Sequence, residues 1–132
     1  MRASSHKLAA ALAARLADVL PPPYSIRSSG AEVEVYARSE HVGGSPAASI
    51  LEDEDGEAVG ERAERAAWAV LSGIQDDVAV HGTVGWPLDA DHQMALPDVR
   101  SDSRRLYLWF GSSESDAVVA LRPIELSELF EP

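Results

Sequence analysis

"EAVGERAERAAWAVLSGIQDDVAV", Glu57 to Val80, decides the fold. Val59, Ala63, Ala66, Ala67, Val70, Leu71, Ile74 and Val78 recur at helical spacing and fall on one side at 100° per residue. The spacing predicts one long amphipathic helix from about Glu57 to Val80, whose dry stripe must be covered by something flat. Trp68 breaks the pattern. It projects about 130° from the centre of the stripe, on the face carrying Glu57, Glu61, Glu64 and Ser72. A large indole on a polar helix face marks either a second covered side or a contact with another chain, because Trp is enriched where interfaces are strongest.

Upstream, Leu8, Leu12, Leu16 and Val19 form a narrower helical stripe. Ser4 or Ser5 can cap its start, and Pro21-Pro22-Pro23 stops it, which predicts a first helix over roughly 5–20. The same segment superficially resembles a secretory leader. Arg15 and Asp18 interrupt its apolar run and no small-residue cleavage pattern closes it, so a helix is expected. "YSIRSSGAEVEVYAR" then reads as a hairpin. Val33, Val35 and Ala37 alternate with Glu32, Glu34, Tyr36 and Arg38, and Ser29-Gly30 supplies the turn. "EHVGGSP" reads as a second turn and "AASIL" as a short third strand. "EDEDG" reads as the approach to the long helix, with Asp55 as its N-cap. It fails as a calcium loop. With Gly56 at the sixth position, Leu51 and Arg62 occupy the first and twelfth, where carboxylates are needed.

Downstream, Leu106, Leu108 and Phe110 share one face of "RRLYLWFG", while Tyr107 and Trp109 share the other. Two apolar faces predict a central strand, or one covered by a helix on one side and a partner on the other. "LPDVR" and "DAVVALRP" read as neighbouring strands, and "SELFEP" as a last helical turn. The expected fold is α+β and a single domain over residues 1–132. An antiparallel sheet of about five or six strands carries the long helix packed on one face, with the N-terminal helix beside it.

Composition narrows the function. The chain has 132 residues, no Cys and a formal net charge of −11. Disulfide and thiol chemistry are absent, and so strong an acidity argues against nucleic acid and against an anionic membrane surface. No apolar run of about 18 residues is present to span a bilayer. A cytoplasmic location is the expectation. The frequent Ala, Arg and Asp suit a GC-rich bacterial coding sequence.

The polar stretch "HGTVGWPLDADHQMALPDV", His81 to Val99, is where chemistry would sit. His81, Asp89, Asp91 and His92 are the candidate metal ligands, since imidazole and carboxylate suit zinc or manganese. No helical H-x-x-x-H spacing preorganises them. "GTVG" lacks the following Lys and helix of a phosphate loop, and no G-x-S-x-G is present. Loop polarity is the favoured reading, with Trp86-Pro87 anchoring the crossover. Arg100, Arg104, Arg105 and Arg122 form a candidate basic patch. It could receive an acidic segment, or simply pair with Asp98, Asp102 and Asp116.

The order of these elements (Leu8 to Leu20, Val33 to Ala37, Val59 to Val78, Leu106 to Leu121) resembles the type III secretion chaperone-like and YbjN-like superfamily. That resemblance implies a non-enzymatic α+β domain that forms homodimers and holds other polypeptides. The expectation is therefore a non-catalytic, acidic, protein-binding or chaperone-like domain, without a cofactor, acting on a protein partner and on itself. Trp68, Tyr107 and Trp109 are the expected exposed contact. The alternatives are a metal- or ligand-binding protein or enzyme centred on residues 81–92, and an immunity protein that neutralises a basic toxin.

Overall fold

A computed structural model of the chain describes residues 3–47 and 59–130. In order, the elements are α1 (Ser5–Ala17), β1 (Tyr24–Ser29), β2 (Glu32–Ala37), β3 (Glu40–Pro46), α2 (Val59–Gly82), β4 (Pro97–Ser101), β5 (Arg105–Gly111), β6 (Ala117–Ala120) and β7 (Ile124–Glu125), closed by a 3-10 turn over Leu126–Leu129. The expected cap Asp55, Glu57 and the later residues of "AASIL" lie outside the described residues.

The fold is α+β with antiparallel pairing throughout, as expected, but among the described residues the strands number seven and divide over two sheets. The first has the order β1-β2-β3; the second has β4-β5-β6, with β7 also paired to β5. The long helix α2 connects the two sheets in sequence and packs along β3 of one and β4 of the other.

The helix α1 starts where Ser4 accepts a hydrogen bond from the Lys7 N–H at 3.4 Å. Leu8, Leu12 and Leu16 are fully buried, each contributing about 1.5–3 kcal/mol by leaving water. The C-terminus folds back onto this helix. The Ser4 N–H donates to Leu129 O at 2.7 Å, and Arg15 Nη2 donates to Pro123 O and to Glu128.

"EHVGGSP" is strand β3 and not a turn. The turn before it is Arg38-Ser39, both at positive φ, joining Ala37 to Glu40. Gly43 serves the packing of α2: a Cβ there would stand 2.3 Å from the Asp77 carboxylate, which would have to move aside, while a Cβ on Gly44 would meet Glu32 of β2 at 2.5 Å. Opposite, Leu106, Leu108 and Phe110 of β5 point into the same core as Val33 and Val35 of β2. The strand β5 is central, as its two apolar faces predicted.

Candidate interaction surface

Along the seam between α2 and β4 the helix presents Glu64, Arg65 and Trp68, and the strand presents Asp98 and Val99. These five residues line an open hollow of about 420 Å³. Trp68 is 48% exposed. Its position is nevertheless fixed, because the indole Nε1–H donates to Pro97 O at 3.2 Å. One turn earlier on the same helix, Glu64 accepts a hydrogen bond from the Ser101 hydroxyl. Two side chains therefore staple helix to strand, and the apolar faces of Trp68 and Val99 are left between them.

The outer edge of β4 is masked along Pro97 and at the Val99 N–H. Gly111 N–H donates to Leu96 O, and Asp102 N–H to Arg105 O, so by alternation Pro97, Val99 and Ser101 turn their backbone groups away from β5. Pro97 has no N–H, its carbonyl is taken by Trp68, and the Val99 N–H donates to Asp98 Oδ1 at 2.9 Å. Such masking is how exposed sheet edges avoid adding strands. The hollow therefore offers mainly side-chain contact, with little of the backbone left for a ladder.

Of the other aromatic candidates, Tyr107 is half-buried. Its hydroxyl donates to Asp102 Oδ2 at 3.1 Å, and Arg100 stacks 4.6 Å above its ring. Trp109 is only 5% exposed, which corrects the expectation that it belongs to an exposed contact. It lies outside the main core cluster, on the outer face of β5, and its buried indole N–H has no partner. The segment between β5 and β6 is tied across that face by a 2.7 Å ion pair from Arg100 to Glu114.

Three of the four arginine candidates are already paired, and Arg104 stands exposed beside them. Arg100 pairs with Glu114, Arg105 with Glu125 at 2.7 Å, and Arg122 with Asp18 at 2.8 Å. The partners come from other elements and are not the expected Asp98, Asp102 and Asp116. Asp102 instead accepts the backbone N–H groups of Arg104 and Arg105, which hold its carboxyl below the usual carboxylate range.

The candidate ligands at 81–92 are likewise employed locally. His81 lies in the last turn of α2, with its Nδ1 2.9 Å from the Tyr24 hydroxyl. Asp89 Oδ1 accepts the N–H groups of Asp91 and Gln93, and the His92 N–H bonds Asp89 O with φ at +60°. Among the described residues no three His, Cys, Asp or Glu side chains converge as a metal site. Trp86 packs on Phe110 with centroids 5.1 Å apart, the anchor expected of it.

Two residues here escaped the sequence reading. Gln75 is 2% exposed, and its Nε2 donates to Trp86 O at 3.0 Å and to Ala95 O at 2.6 Å, clamping both ends of the crossover to α2. Asp77 sits over Gly43 and Gly44. Burial pushes its carboxyl up, with the neighbouring Asp76 adding to the rise; the Gly44 N–H and His41 act against it. Gln75 was hidden because a polar residue does not register in an apolar stripe, although its spacing from Leu71 and Val78 places it on the buried face.

No family model, curated protein or solved structure matches this chain. Among the described residues no helix is long and apolar enough to cross a membrane.

Proposed function

We propose that this chain is a non-catalytic protein-binding domain, chaperone-like in acting through contact with another polypeptide, and that it works as a homodimer in the cytoplasm. The observation that carries the reading is Trp68: a half-exposed indole held in place by a hydrogen bond over an open, apolar-walled hollow. An ordered aromatic has already lost much of the freedom that binding removes, so more of its burial appears as affinity. Glu64 and Asp98 outweigh Arg65 at the rim, and on a protein of net charge −11 they favour a partner segment that combines an apolar anchor with basic residues.

The test is capture of partners from native lysate with wild type and Trp68→Ala, followed by titration of the retained protein. Trp68→Ala is expected to weaken that complex by about 2 kcal/mol or more, roughly thirtyfold, as for a central aromatic anchor. Its thermal midpoint should fall by only a few degrees, since the side chain is half in water and gives up one hydrogen bond to Pro97 O. Unchanged affinity in the substituted protein refutes the groove as the contact.

A further inference from the structure

The second sheet has two outer strands, and they are treated differently. The edge of β4 is masked by Pro97, Asp98 and Trp68. The edge of β6 carries neither a charge nor a proline in "AVVA": among the described residues this four-residue strand packs substantially only against β5, and its one irregularity is the bulge at Phe110/Gly111. Leu121 N–H donates to Leu108 O, so by alternation the N–H and C=O of Ala120 point away from the sheet. Val118 and Ala120 are exposed there.

We infer that two copies of this chain join along β6, antiparallel about a two-fold axis at Val119, to make one continuous sheet across the dimer. The flanking charges select a second copy as the occupant. Asp116 stands three positions before Val119 and Arg122 three after it. Continued one residue before and two after the four of β6, pairing about a two-fold axis at Val119 sets Asp116 opposite Arg122 of the second copy at both ends, with only apolar side chains between. On a protein of net charge −11 two copies repel over most of their surface. This strip is neutral and self-complementary, so it is where that repulsion is locally reversed. The existing Arg122–Asp18 pair does not compete strongly, because its side chains are 62% and 54% exposed and such pairs are worth about 0–1 kcal/mol. The inference rests on the proposed self-association and gives it a surface separate from the Trp68 hollow, which lies at the opposite edge of the same sheet.

Sedimentation velocity from about 1 µM to 1 mM tests it. Wild type is expected to shift from monomer to dimer. Ala120→Lys sets two ammonium groups near the axis and should raise the dissociation constant by about tenfold or more. Asp116→Lys should do the same, and the double swap Asp116→Lys with Arg122→Glu should restore the dimer, which a folding defect would not. Trp68→Ala should leave the dimer intact. A monomer throughout the range overturns the inference, and so does a dimer that survives Ala120→Lys or that the double swap fails to restore. Loss of the dimer in Trp68→Ala alone would move self-association to the hollow and leave partner binding to be judged by its own titration.

Discussion

Replacing Gln75 tests how the crossover between α2 and β4 is held. Its amide donates to Trp86 O and Ala95 O from a site that is 2% exposed. Gln75→Met keeps the length and flexibility of the side chain and removes both donors. Each carbonyl then loses its partner inside the protein, at about 1–3 kcal/mol for a buried group left unpaired. Met recovers some apolar contact, so the expected loss is about 2–4 kcal/mol, a large part of the roughly 5–15 kcal/mol of an ordinary domain. At roughly 4 °C per kcal/mol for a chain of this size, the midpoint should fall by about 8–16 °C. Gln75→Glu sharpens the test. At neutral pH its carboxylate faces two carbonyl oxygens with no proton to offer, so it should be less stable than Gln75→Met. Burial and those oxygens hold the folded-state pKa of the new carboxyl above the ordinary value of about 4.3. The penalty is therefore complete above that raised pKa and is relieved as pH falls through it, when the acid regains one O–H donor. Urea unfolding followed by Trp fluorescence reads both, with equal slopes required for comparison. Hydrogen exchange at Leu88 to Ala95 should accelerate in both variants. A Gln75→Met protein within about 0.5 kcal/mol of wild type would refute the clamp, as would a Gln75→Glu protein no weaker at pH 7 than at pH 4.

Gly111 has φ at +143°, and a Cβ there would meet Asp116 O at 2.9 Å and Ala117 Cα at 3.0 Å, at the bulge between β5 and β6. Gly111→Ala should cost about 1–3 kcal/mol from backbone strain alone, read by chemical denaturation, and no loss would mean that the bulge relaxes freely. Asp77→Asn should stabilise the protein at pH 7. The native carboxyl is raised by burial and by Asp76, so the folded state holds its proton more tightly than the unfolded chain. Wild-type stability from this group is complete below about pH 4 and is lost as pH rises through the folded value. Urea midpoints of the two proteins should converge on acidification; a gap that widens towards low pH would contradict the assignment.

What was readable in the chain follows from what burial leaves in a pattern. Leu8, Leu12 and Leu16, the alternation around Val33 and Val35, and the two-faced strand Leu106 to Phe110 each state their own periodicity. The wheel position of Trp68 set it apart from the buried stripe and left open whether that side is covered; the side chain is 48% exposed. β3 reads as a turn because Gly43 and Gly44 have the composition of one, and nothing local shows that Gly43 is a strand residue thinned to admit Asp77 of a helix more than thirty residues later. Trp109 was misplaced for a related reason. Alternation assigns it to the outer face of β5 but does not report that this face is itself covered. The acid partners of Arg100, Arg105 and Arg122 come from Glu114, Glu125 and Asp18, and only the last of these is distant in sequence; what was missing was the sheet order that brings them together.

The two edges of the second sheet make a combined argument about how one small domain can meet two kinds of partner. A strand edge is chemically promiscuous, because backbone hydrogen bonding reads no side chain. Masking β4 removes that promiscuity where Trp68 sits, so recognition there must depend on the shape and charge of a partner's side chains. Leaving β6 open restricts backbone pairing to a strip whose flanking Asp116 and Arg122 favour a copy of itself. The arrangement predicts independence. Trp68→Ala and Ala120→Lys lie on opposite edges, with β5 between them, and share no partner, so their effects on partner affinity and on dimerisation should add within about 0.5 kcal/mol. A coupling well beyond that, measured by a double-mutant cycle on either equilibrium, would mean that the two edges act as one surface and that the division of labour is wrong.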